Sequence, residues 1–240
     1  MGLLKGLKLA IPKIIHQTWK TENIPGKFKP YQEKVRQLHP DWEYILWTDD
    51  EIDAYVKNEF PDFYPRFISF AKHIMRVDVI RYLIMYKLGG LYLDLDYEMI
   101  KPFDLNHFNI VLPKNRSINY GDKFNGIGNC IFASVPGHSF WQDVINNLQE
   151  EPPVVKHFLE VLDTTGPAYL TKIFYKKEYT DAHVPERELF HPPTPKNKNQ
   201  YQSIINNGIS YGIHHCSGTW REEHTLSHMV MKVKKIFSNK

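Results

Sequence analysis

Apolar residues recur at spacings of three and four from Ile74 through Val77, Ile80, Ile84 and Leu88, a period that predicts one long helix between Phe70 and Leu88. Gly89 and Gly90 end it, the first as a left-handed cap and the second as a tight turn into a strand. There the period drops to two, with Leu91, Leu93 and Leu95 alternating with Tyr92, Asp94 and Asp96. The expectation is leucines in the core, with the tyrosine and both aspartates on an open face.

The same patterning organises the rest of the chain. "PKIIHQTW" predicts a strand from Lys13 to His16, and "WEYILWTDDE" a strand from Tyr44 to Trp47 followed by a helix capped by Thr48 or Asp49. Strands alternating with helices favour an α/β fold with a mostly parallel central sheet flanked by helices. "CIFASVPGHSFWQDVINNL" reads as a buried strand, a turn at Pro136-Gly137 and a helix from about Ser139. "HPPTPKNKNQ" reads as a surface loop and "ISYGIHHCSGTW" as a strand ending in a polar turn. Leu226, Met229, Val230, Val233 and Phe237 predict a closing amphipathic helix over 222–240 with its lysines off the stripe. No repeat or linker divides the chain, so a single domain over 1–240 is expected.

Composition narrows the class. The 240 residues are 42% hydrophobic and 24% charged, a balance suited to one soluble globular core. A formal net charge of only +3 argues against nucleic acid as a general partner. Both ends are nevertheless basic: Lys5, Lys8, Lys13 and Lys20 at one, Lys232, Lys234, Lys235 and Lys240 at the other. The two cysteines, Cys130 and Cys216, make no disulfide framework and have no metal-type spacing, which points to a reducing compartment. Lysines and Pro12 interrupt "LLKGLKLAIPKII", so no signal peptide or membrane span is expected there. Gly6 stands where a myristoylation motif requires Ser or Thr. The expected location is cytoplasmic.

Two carboxylates at i and i+2 of a strand stand roughly 7 Å apart and can face one divalent ion. An isolated pair of this kind is more often a solvent-facing strand edge. Asp78 and Arg81, at i and i+3 of the preceding helix, suit an exposed ion pair worth a few tenths of a kcal/mol. Their succession, helix pair, two glycines and acidic strand, is more informative than either part.

Read from Asp78 to Asp96, "DVIRYLIMYKLGGLYLDLD" resembles the D-x-x-R-Y…GG-x-Y-x-D-x-D signature of the family 32 glycosyltransferases, a group that includes a yeast initiating mannosyltransferase. It is also similar to the related α-1,4-galactosyltransferases and clostridial glucosylating toxins. "IPKIIHQTW", "YILWTDDE" and "HHCSGTW" follow the family's order, so the likeness spans roughly residues 11 to 221. It implies a GT-A-type fold with the D-x-D motif at a strand end, a nucleotide-sugar-binding half over 11–100 and an acceptor and metal-completing half over 101–221.

The resemblance also implies roles. Asp94 and Asp96 would hold Mn²⁺ or Mg²⁺ and the nucleotide sugar, completed by His214 or His215. Asp78 and Arg81 would reach the donor sugar and its ribose or phosphate. His16, Gln17 and Trp19 would border the nucleotide, with Trp19 stacking on the base, and Asn129 and Gly166 would lie near the sugar. Trp220 would touch the leaving diphosphate. Val77 departs from the small residue usual before the helical aspartate, which would tighten the donor pocket. If Ile209, Tyr211 and Ile213 face the core, His215 joins them and His214 faces the cleft, which favours His214 as the ligand.

The implied activity is retaining, metal-dependent transfer of a hexose from a nucleotide sugar to a glycan or lipid-linked glycan, with UDP-galactose or UDP-glucose favoured over GDP-mannose. The basic final helix suggests peripheral contact with the inner face of a membrane. A D-x-D phosphotransferase is less well matched, because Glu98 stands where such motifs carry Thr or Val. A non-catalytic nucleotide-sugar or glycan-binding module on the same fold is separated from the enzyme only by turnover.

Overall fold

The computed structural model describes residues 10–115, 126–150 and 160–219. The chain enters through β1 (Ile14–Thr18), α1 (Lys29–Leu38), β2 (Glu43–Trp47), α2 (Asp49–Glu59) and α3 (Tyr64–Ser69). The long α4 (His73–Lys87) leads into β3 (Gly90–Leu93) and β4 (Tyr97–Met99). Short strands β5 (Ile110–Val111), β6 (Lys114–Asn115) and β7 (Gly126–Ile127) precede β8 (Ile131–Ser134) and α5 (Ser139–Glu150). The remainder comprises α6 (Val161–Thr164), α7 (Pro167–Phe174), β9 (Ala182–His183), α8 (Arg187–Phe190), α9 (Lys198–Asn207) and β10 (Gly212–His214).

Six strands form the main sheet in the order β2-β1-β3-β8-β5-β9. The β1–β2, β1–β3 and β5–β9 pairs are parallel, whereas β8 runs antiparallel to both of its neighbours. This is a mixed, mostly parallel sheet flanked by helices. Thr48 starts α2 with a capping box: its Oγ1 accepts from Glu51 N while Glu51 Oε2 accepts from Thr48 N at 2.8 Å. The proline-rich segment after Phe190 is less of a loop than its composition suggests, since α9 begins at Lys198 with Asn197 as its side-chain cap.

Both glycines after α4 are needed where they stand. Gly89 (φ +66°) and Gly90 (φ +96°) occupy backbone space that residues with a side chain rarely adopt. A Cβ on Gly89 would lie 2.6 Å from Ser134 O, and one on Gly90 2.6 Å from Ile14 O. The turn thus lets β3 settle between the backbones of β1 and β8.

The open face expected for β3 does not exist. Tyr92 is fully buried with Phe132, Tyr82 and Trp141 on the α4 side, while Leu91 and Leu93 pack with Ile15, Val35 and Ile131 on the other. Helices cover both faces of this central strand, so alternation there sorts side chains between two cores rather than between core and water. The strand ends at Leu93, and both aspartates lie on the turn beyond it, with Tyr97 N donating to Asp94 O.

Candidate functional site

A cleft of about 480 Å³ opens at the end of β3, and Asp78, Arg81, Asp94, Asp96, Asn129 and His214 line it together. α4 delivers the first two because residues i and i+3 share a helix face. The Asp78–Arg81 pair is buried rather than exposed, at 4% and 6% accessibility, and belongs to a network. Arg81 Nη1 donates to Asn129 O at 2.9 Å and lies 3.5 Å from Asp78 Oδ1, while Nη2 reaches Asp94 Oδ1 at 3.1 Å. Asp78 in turn accepts from Asn129 Nδ2 at 3.0 Å and Thr165 Oγ1 at 3.1 Å. Tyr82 OH holds Thr165 in place through its carbonyl.

Burial pushes the Asp78 carboxyl up to about 6, with Asp94 adding to the rise and Arg81, Thr165 and Asn129 opposing it. Burial works against the Arg81 charge, but Asp94, Tyr92 and Asp78 outweigh it and raise its pKa. The guanidinium is therefore a fixed cation at the cleft floor.

The two motif aspartates are each held by one oxygen. Asp94 Oδ1 accepts from Tyr92 OH at 2.7 Å as well as from Arg81, and Asp96 Oδ2 accepts from Ser217 N at 2.7 Å. The other oxygens turn to His214, whose Nε2 is 3.2 Å from Asp96 Oδ1 and 4.0 Å from Asp94 Oδ2. One ligand atom from each of Asp94, Asp96 and His214 lies within 4.8 Å of the others. Two carboxylate oxygens and an imidazole nitrogen suit a divalent ion of the Mn²⁺ or Mg²⁺ kind, so the residues fit the metal that the motif implies. Burial opposes protonation of His214, yet the Cys130 sulfur and Asp96 raise its pKa. Burial also opposes ionisation of Asp96, where bonding from His214 and Ser217 prevails and lowers its pKa.

His215 takes a separate place. Its ring stacks on Tyr31 at 4.8 Å and its Nε2 meets Glu98 Oε2 at 2.8 Å, so of the two histidines only His214 faces the aspartates. The alternation used to choose between them holds at Ile213, which is fully buried, but Ile209 is 52% exposed because it follows the left-handed Gly208 at the end of α9.

Other expected positions separate into wall and frame. Trp19 lines the cleft with its ring 5.6 Å edge-on to Phe28, and Val77 lines it too. His16 and Gln17 do not border it, contrary to expectation. His16 is fully buried, with Nδ1 accepting from Trp47 Nε1 at 3.1 Å and Nε2 donating to Gly89 O at 2.9 Å. That pair of bonds fixes one neutral tautomer, and burial lowers the ring's pKa to about 4 despite the Gly89 bond. Gln17 is buried and accepts from Tyr44 OH at 2.7 Å. His16 points into the sheet's packing, whereas the Gln17 amide Nε2 also donates to Asp94 O at 3.4 Å, from beneath the motif rather than from the cleft.

Gly166 is a buried cap of α7 whose Cβ would press on Leu162 Cα at 2.9 Å, a frame role; its neighbours Thr165 and Pro167 approach the site instead. Trp220 and the 222–240 segment lie outside the described residues. Sequence reading missed Thr165, Ser217, Phe28, Arg187 and His191 of the cleft region. Only Thr165 had a local signal, being adjacent to the Gly-Pro step.

Residues 25–118 match the family model of the glycosyltransferase sugar-binding region containing DXD motif. The chain is 37% identical over 187 residues to inositol phosphoceramide mannosyltransferase 3 of Schizosaccharomyces pombe, covering 76% of this chain and 49% of that protein. It is 36% identical over 178 residues to the mannosyl phosphorylinositol ceramide synthase SUR1 of Saccharomyces cerevisiae, covering 73% of this chain and 44% of that protein. The chain thus spans about half the length of the curated relatives it matches. Among solved structures, the PaToxG glycosyltransferase aligns at a TM-score of 0.50 with 20% identity over 70% of each chain, a likeness of fold. With the aspartate pair, its helical partners and the GT-A-type sheet in place, residues 25–118 carry the glycosyltransferase sugar-binding region containing a DXD motif, here Asp94-Leu95-Asp96.

Proposed function

We propose that this chain transfers a hexose from a nucleotide sugar to a hydroxyl of a lipid-linked acceptor, with mannose, carried as GDP-mannose, the first donor to test. The convergence of Asp94, Asp96 and His214 beside the buried Asp78–Arg81 pair carries the reading. The mannosyltransferase names of the relatives support mannose over the UDP-galactose or UDP-glucose favoured by the sequence, and their inositol phosphoceramide names support a lipid acceptor.

Asp94, Asp96 and His214 would hold the divalent ion, which supplies Lewis-acid stabilisation of the departing diphosphate. Arg81, already fixed by three partners, adds a preorganised positive charge. Asp78 accepts hydrogen bonds from the donor sugar, and Trp19 with Phe28 forms an apolar wall for the base. The four carboxylates lining the described cleft are all engaged: Asp49 by His73 at 3.1 Å, and Asp78, Asp94 and Asp96 as above. This supports a same-face displacement with retention, in which the leaving phosphate takes the acceptor's proton, over one that uses a dedicated carboxylate base. A sugar trapped covalently on one of these carboxylates would count against it.

The test is nucleoside diphosphate release with Mn²⁺ from GDP-mannose, UDP-glucose and UDP-galactose, with and without inositol phosphoceramide. Release from GDP-mannose that is stimulated by the lipid and lost in Asp94→Ala/Asp96→Ala is the expected result. Preference for a UDP-hexose would overturn the donor assignment, and absence of metal-dependent binding to every donor would overturn the transferase reading.

A further inference from the structure

A second set of metal-type ligands lies behind the DXD aspartates. Cys130, just before β8, and His191, just after α8, are 2% and 7% exposed. The Cys130 sulfur is 3.8 Å from His191 Nδ1 and 4.0 Å from Nε2. One ligand atom from each of Cys130, His191 and His214 lies within 4.8 Å of the other two. Tetrahedral bonding at about 2.3 Å to sulfur and about 2.0 Å to nitrogen separates neighbouring ligands by roughly 3.5 Å, so the Cys130–His191 spacing needs little change to accept an ion.

The surroundings also suit a ligand role. Among the described residues the thiol is the only hydrogen-bond partner of the His191 ring, at distances too long for a strong bond. Gly128 clears space beside it, since a Cβ there would fall 2.9 Å from His191 Nε2. His191 and His214 both line the cleft, which gives an ion and a water ligand a way in.

We propose that Cys130, His191 and His214 form a binding site for a thiophilic divalent cation of the zinc class, with a cleft water as fourth ligand. Binding forms a sulfur–metal bond and releases the Cys130 thiol proton to solvent; no electron is transferred. Since His214 also faces Asp94 and Asp96, an ion in this site withdraws the histidine from the aspartate site. Zinc should therefore inhibit transfer, a consequence that rests on the proposed function, whereas the site itself does not.

Chelator-stripped full-length protein titrated with Co²⁺ tests the site directly. The expected result is one equivalent bound with tetrahedral visible bands and a thiolate-to-cobalt charge-transfer band, displaced by stoichiometric Zn²⁺. Cys130→Ser should abolish the charge-transfer band and weaken zinc more than about 100-fold, beyond the loss typical of an outer-shell partner. His191→Gln should weaken zinc similarly, and Asp96→Asn should keep the band. If the variants fail to fold, the wild-type spectrum still decides: no binding, or binding without a thiolate band, overturns the site. A band lost in Cys216→Ser but kept in Cys130→Ser also overturns it, because the Cys216 sulfur lies 3.4 Å from His214 Nδ1. Zinc bound as expected with Mn²⁺-supported transfer unaffected would overturn the shared-histidine consequence and leave the site standing.

Discussion

The two ends of the cleft are built on opposite plans. At the α4 end, Asp78, Arg81, Asn129 and Thr165 already satisfy one another in a buried network. At the turn end, Asp94, Asp96 and His214 each keep a ligand atom aimed at a common point. The first end is rigid because its charges would be expensive to leave unpaired; the second is left for a guest. Substitution should therefore cost stability as well as turnover at the first end, and chiefly turnover at the second.

The sharpest division comes from the guest end. Asp94→Asn/Asp96→Asn, whose amide oxygens can still accept from Arg81, Tyr92 and Ser217, should lower transfer by at least about 10³-fold, on the scale of losing a principal transition-state contact, with a smaller change in the urea midpoint than loss of Arg81 brings. A large fall in stability would place these aspartates in the frame and erase the contrast. Arg81→Met should cost stability as well as transfer, destabilising the fold by about 3 kcal/mol in urea unfolding. The figure sits at the low end for a broken buried pair because Asp78 keeps Asn129 and Thr165 and can neutralise itself by taking a proton. An unchanged midpoint would show the network to be looser than its geometry.

A buried group outside both ends supplies a control. The His16 pKa is lowered to about 4 by burial, below the ordinary 6.5 of an unfolded chain. Unfolded protein thus takes up a proton that the fold refuses, so stability is full above about pH 6.5 and is lost as pH falls towards 4. Between pH 7 and pH 5 this amounts to about 2 kcal/mol, and the wild-type slope should exceed that of His16→Gln by that amount. Equal slopes would remove His16 from the acid response. Smallest is the wall: Trp19→Ala should raise the donor KM about 5-fold at constant kcat, the lower end of a base–aromatic stack. A kcat effect instead would move Trp19 towards the reacting atoms.

Legibility followed the range of the interactions. Helix α4 and its two-glycine stop were readable because period and left-handed backbone are local properties, and the D-x-D pair followed from the same stretch. Alternation also anticipated that His214, not His215, faces the aspartates, although one of its three supports, Ile209, proved exposed. What alternation could not reveal was that a second core covers the far side of β3, which buried the supposedly open face. For the same reason His16 reads as ligand-facing but serves the sheet, and Gln17 meets the motif only at the backbone of Asp94. Thr165 and Asp78 are 87 positions apart and Cys130 and His191 are 61 apart, so only the folded topology joins them.

The placement of Asp94 one residue beyond β3 has a bearing on how damaged samples should be assayed. Its amide donates to Cys130 O at 2.8 Å, extending the β3–β8 register by one step to the motif itself. A one-residue slip of that register would turn the carboxylate to the opposite side of the sheet, so there is no partly displaced form with intermediate skill. Substitutions in the core around Tyr92 and Phe132 should accordingly divide a preparation into fully competent and inert molecules. Titrating active sites would find fewer of them, each turning over at the normal rate.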